Sequence, residues 1–110
     1  MHIVAIKRAV YEANPWVAEN LYKAFCAAKD EAMRVYLLDS AMATMLPWTT
    51  ADVEEAQDLM GNDFWSYGLD AQNRHVLETL IGYAHEQGLI NRRLDLEDLF
   101  AQETLEHYLI

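Results

Sequence analysis

Apolar residues recur at helical intervals along most of this chain. In "NPWVAENLYKAFCAAKDEAMRVYLL", Val17, Leu21, Ala24, Phe25, Ala28, Ala32 and Val35 follow one another at steps of three and four, which predicts a long amphipathic helix with those residues facing inward. Asn14 is placed to cap its start, with Pro15 at the first helical position, where a missing N–H costs nothing. Pro47 in "MLPW" breaks the pattern. Thr49 or Thr50 then opens a second helix whose first turns carry Asp52, Glu54 and Glu55, favourable at a positive helix end, and Gly61 should stop it. A third helix is predicted from about Ala71 to Gln87, with Val76, Leu77, Leu80, Ile81 and Ala84 inward and Gly88 as its C-terminal cap.

The two ends read differently. His2 to Ile6 is apolar and rich in β-branched residues, which suggests a short buried strand, although no second strand is evident to pair with it. After "NRRL", Asp95 can cap a tail of two short helical turns carrying Leu96, Leu99, Phe100, Leu105 and Tyr108. Between the second and third helices lies "GNDFWSYG", a loop holding Phe64, Trp65 and Tyr67. So much apolar surface in a loop implies rings dropped into a core, the lining of a site, or a face meant for another piece of protein. Anchoring of Phe64, Trp65 and Tyr67, with Met60 and Leu69 beside them, is the favoured reading.

Composition narrows the class. A chain of 110 residues with 53% hydrophobic and 24% charged residues has the size of one globular domain, spanning residues 1–110. Eight Lys and Arg against eighteen Asp and Glu give a formal net charge of -10, which argues against nucleic acid or an anionic membrane as partner. No apolar run is long enough to span a membrane, and "MHIVAIKRAVYEANP" lacks a signal-peptide core, so a cytoplasmic location is expected. The single Cys26 cannot form an internal disulfide and reads as a small hydrophobe.

Candidate chemistry is sparse. The four histidines are not spaced as ligands: His75 and His85 are ten apart on one helix, well out of alignment, and no metal or other cofactor is expected. There is no phosphate loop, nucleophile elbow or nucleotide fingerprint.

The order "YEANPWVAENLYKAF", "MLPW", "DLMGNDFWSYG", "NRHVLETL", "YAHEQGLI" and "LEDLFAQETLE" nevertheless resembles the C-terminal third of the 4,5-dihydroxyphthalate decarboxylase family, itself similar to two-lobed periplasmic-binding-protein-like ligand binders and thiamine-precursor synthases. The resemblance runs over essentially the whole chain. It implies that this mainly α chain, with three substantial helices, a short helical tail and one N-terminal strand, is a piece of a two-lobed α/β fold. In the family a strand ending in a Met–His pair leads into these helices, here Met1 and His2, so a truncated or separately encoded C-terminal piece is expected, with the strand's neighbours belonging to the rest of the fold.

Decarboxylating an aromatic dicarboxylate needs a cation for the carboxylate that stays, an acid to protonate the ring carbon and a water-poor pocket. Under the resemblance, these needs point to Arg74 as a carboxylate clamp, His2 as the proton donor and Trp65 or Phe64 as a stacking ring, with an aromatic carboxylate as ligand. Pairing of Arg74 with Glu78, one turn along, is the competing reading. Because one third of such a chain cannot build a cleft between lobes, it is expected to be inactive alone. The alternative is a small helical module that self-associates as a homodimer through the N-terminal strand or apolar helix faces.

Overall fold

A computed structural model describes residues 2–38 and 44–105, which take in five α-helices. They are α1 (Arg8–Ala13), α2 (Trp16–Tyr36), α3 (Thr49–Met60), α4 (Ala71–Glu86) and α5 (Leu96–Leu99), followed by a 3-10 turn at Gln102–Thr104. The mainly helical character is as expected. The N-terminal strand is not: no residue among those described forms a strand, and a two-lobed α/β architecture finds no support here. An isolated extended segment has no ladder to satisfy its N–H and C=O groups, so β-branched composition alone cannot make His2 to Ile6 a strand. Ile3 and Val4 are 65% and 62% exposed, and the chain turns into α1 directly after Lys7. Met1 and Tyr108 lie outside the described residues.

Helix ends follow local chemistry. Asn14 does not cap α2 with its side chain in the expected manner; it closes α1, its N–H donating to the carbonyls of Tyr11 and Val10, while its own carbonyl accepts the N–H of Val17 at 3.0 Å. The chain thus passes from α1 to α2 through Asn14–Pro15 with little backbone left unpaired. Gly61 ends α3 at φ 89° and ψ 172°, a region only glycine enters freely. At the end of α4, Gly88 takes φ 72°, its N–H donating to His85 at 3.0 Å while Leu89 donates to Ala84 at 2.9 Å. That pair of bonds is the Schellman arrangement, and it turns the chain back toward its own helix.

The chain divides into two compact units, residues 1–22 with 67–110, and residues 23–66. In the first, the return after Gly88 lays Leu96 of α5 against Leu77 and Ile81 of α4, with Leu69, Ile90, Leu94 and Phe100 packed around them. Those three and Ala18 are the buried hydrophobic residues among those described. The second unit has no buried residue among its described positions.

Two inward faces differ from the periodic pattern. On α4, Leu77 and Ile81 are buried and Ala84 half-buried, but Val76 is 42% and Leu80 54% exposed. On α2 the covered stripe is Ala18, Tyr22, Cys26, Lys29, Met33 and Tyr36, whereas Leu21, Ala24, Phe25, Ala28, Ala32 and Val35 are exposed. A shift of one residue along a helix turns the face by about 100°. Both stripes of α2 are largely apolar, so periodicity establishes the helix without deciding which stripe is covered. None of the described helices is long and apolar enough to cross a membrane.

Candidate functional site

Arg74 is the best-positioned of the expected site residues. Asp70 caps α4, its carboxylate accepting the Asn73 N–H at 2.7 Å and its carbonyl accepting the Arg74 N–H at 2.9 Å. The Asn73 side chain donates to the Gly68 carbonyl at 3.0 Å, tying the loop to the same first turn. The guanidinium then leaves α4 toward α5, donating to the Glu97 carboxylate at 2.8 Å, with Glu78 at 4.0 Å. The expected Glu78 partner is therefore secondary, and Glu97, 23 residues away, is the main one. The Arg74 hydrogen bond holds the Glu97 carboxyl below the usual glutamate range, favouring its ionised form.

Beside this pair, α4 and the segment before α5 enclose a depression of about 180 Å³, floored by Ile81 and Leu96 and rimmed by Glu78, Asp95, Glu97 and Arg93. It is smaller than the roughly 300 Å³ at which ligand pockets begin. Three carboxylates against one guanidinium also make it unfavourable for a dicarboxylate anion.

His2 lies exposed on the irregular segment before α1, and no hydrogen bond or ion pair among the described residues joins it to Arg74. Trp65 belongs to the other unit, is 61% exposed, and meets Phe64 with ring centroids 5.4 Å apart at 50°. The anchoring read from the sequence holds for Phe64 and Leu69, both half-buried, but Tyr67 is 42% and Met60 52% exposed. Polar ties hold the loop instead. Lys29, its side chain 11% exposed, contacts Asp63 at 2.7 Å, and the Asp63 carbonyl accepts the Ser66 N–H at 3.1 Å. Within the first unit, the Tyr22 hydroxyl donates to the Tyr67 carbonyl at 3.3 Å.

Glu97, Lys29 and Asp63 were not legible as partners, because a side-chain pair separated by a turn or by a loop has no periodic signature. Among the described residues, no three His, Cys, Asp or Glu side chains are grouped to hold a metal ion. Cys26 is a half-buried free thiol on the covered stripe of α2.

Over all 110 residues the chain is 36% identical to a 4,5-dihydroxyphthalate decarboxylase from Comamonas testosteroni. This chain is similar to the C-terminal third of that enzyme. It spans 33% of the relative's length, and no protein-family model matches it. The resemblance read from the quoted motifs is thus shown.

Proposed function

We propose that this chain acts as the helical C-terminal segment of a 4,5-dihydroxyphthalate decarboxylase-like protein and does not decarboxylate by itself. The observation that carries this reading is identity at 36% sustained across the entire chain, without a stretch left unmatched. The local geometry is consistent with inactivity alone: Arg74 is already engaged by Glu97, His2 and Trp65 are exposed, and the depression beside Arg74 is too small and too acidic for an aromatic dicarboxylate.

In a fuller assembly each residue has a defined task. Arg74, released from Glu97, would grip the carboxylate that remains on the ring through its two-pronged donor geometry. When the ring–carboxylate C–C bond breaks, carbon dioxide leaves and the electron pair stays on the ring carbon. His2 would deliver the proton to that carbon, and Trp65 would pack against the ring face.

A chimera tests this directly. Replacing the C-terminal third of the Comamonas enzyme with this chain should give a protein that releases carbon dioxide from 4,5-dihydroxyphthalate, while the chain alone releases none. Arg74→Gln in the chimera should lower kcat/KM by at least about tenfold, the cost of losing one charge-assisted pair in the transition state. Turnover by the isolated chain, or a folded chimera without activity, would refute the proposal.

A further inference from the structure

We propose that the outward line of α3 formed by Trp48, Asp52, Glu55 and Leu59 is the surface on which this segment docks against the preceding two thirds of a decarboxylase-like protein, which meets it with apolar side chains around a Lys or Arg. The inference rests on the function proposed above and deepens it, by naming the surface through which the segment joins the rest.

Local geometry builds the line. The Trp48 carbonyl accepts the Asp52 N–H at 2.9 Å, so Trp48 continues the helical backbone of α3. At about 100° per residue, Trp48, Asp52, Glu55 and Leu59 fall within about 60° of one another, along roughly 16 Å of helix. All four are exposed, Trp48 by 73% and Leu59 by 76%. The half-buried residues of α3 are Thr49, Val53, Ala56 and Gln57, on a different side. Met45 and Leu46, just before the helix, are exposed as well. Their turn is held in place: the Thr49 hydroxyl donates to the Leu46 carbonyl at 2.9 Å, and the Leu46 N–H donates to the Thr44 hydroxyl at 3.2 Å. A turn fixed in advance loses less entropy on docking than a loose one.

A solvated helix face does not account for this line. Single exposed apolar residues are ordinary. Here, however, the whole unit of residues 23–66 has no buried residue among its described positions, so its apolar side chains have no core of their own. Asp52 lies in the first turn, where the helix dipole favours a carboxylate; Glu55 stands beyond it and gains nothing there. α3 holds four carboxylates and no basic residue. Within the unit, Lys29 is engaged by Asp63 and Arg34 by Glu31, and no ion pair among the described residues reaches Asp52 or Glu55. Two apolar ends with two carboxylates between them are complementary to an apolar surface carrying a cation.

Coverage identifies the occupant. Similarity runs over all 110 residues, yet these span 33% of the Comamonas enzyme. The other two thirds of such a protein are joined to this segment through the backbone, and a linked partner avoids most of the association cost that a separate one bears. A second copy would instead bring together two formal charges of -10.

Hydrogen–deuterium exchange tests the docking, on the chimera that joins the first two thirds of the Comamonas enzyme to this chain and on the chain alone. Amides in the last two turns of α3 should exchange at least about tenfold more slowly in the chimera. Glu55→Lys should abolish that slowing, whereas Glu54→Lys, the same charge change at an exposed neighbour about 100° round the helix, should keep it. Circular dichroism checks that both variants retain their helices. A chimera that slows α3 exchange without releasing carbon dioxide supports the docking and removes the decarboxylase reading. An active chimera whose α3 exchanges as fast as in the free chain, equal effects of the two variants, or a chimera that does not fold overturns the docking. Protection of α3 in the chain alone, at twice its mass of 12.7 kDa, assigns the line to a second copy and overturns it too.

Discussion

Replacing Leu96 by Ala should destabilise this protein about twice as much as replacing Leu80 by Ala, although the two leucines look alike in the sequence. Leu96 is 3% exposed and sits against Leu77 and Ile81. Truncation removes three carbons, and at ~0.8 kcal/mol per buried carbon the transfer loss is about 2.3 kcal/mol. The surrounding Leu69, Ile90, Leu94 and Phe100 are only partly buried and can relax inward, so the cavity adds little and the total stays near the low end of the usual 2–5 kcal/mol. Leu80 is 54% exposed, which leaves rather less than half of the same transfer term, about 1 kcal/mol, and no enclosed cavity. Urea unfolding followed by far-ultraviolet circular dichroism at equal slope gives both values. A Leu80→Ala cost equal to or above that of Leu96→Ala would show that the α4–α5 cluster is not the core.

Two further expectations concern pH. Because Arg74 lowers the Glu97 pKa in the folded chain, the pair stabilises above the ordinary glutamate range and that contribution is lost as pH falls through the folded value; the urea midpoint of the Glu97→Gln variant should therefore decline less on acidification than that of the parent, and parallel curves would contradict the pairing. Tyr11 donates to Glu103 at 2.7 Å, and that hydrogen bond first, then burial and the nearby negative charge, raises its pKa, so its contribution holds below the ordinary tyrosine range and is lost as pH rises through the folded value. The difference in phenolate absorbance between the parent and Tyr11→Phe should titrate late, and Glu103→Ala should bring it earlier; an unchanged titration would mean that the contact does not persist in solution.

The helices were legible because their signals are local. Gly61 and Gly88 end α3 and α4 where left-handed backbone is needed, and the three- and four-residue spacing places α2 and α4 within one or two residues of the expected starts. The His2–Ile6 segment shows the opposite case. A strand exists only with a partner, and β-branched side chains without one leave an exposed, irregular lead into α1.

Which face a helix buries is a tertiary question, and the site residues fail to be legible for the same reason. Leu77 and Leu80 are equally apolar, but only Leu77 lies where the Gly88 turn returns Leu96. On α2 the sequence offers two apolar stripes, and the pattern chose the one with Leu21, Phe25 and Val35, which is the one left exposed. Periodicity reports that apolar residues share a side of the helix, and with two such stripes it does not say which one the rest of the chain covers. Arg74 follows the same logic on the polar side: the chain revealed a guanidinium in the first turn of α4 and the nearest carboxylate in sequence, while the fold supplies Glu97 from a separate element.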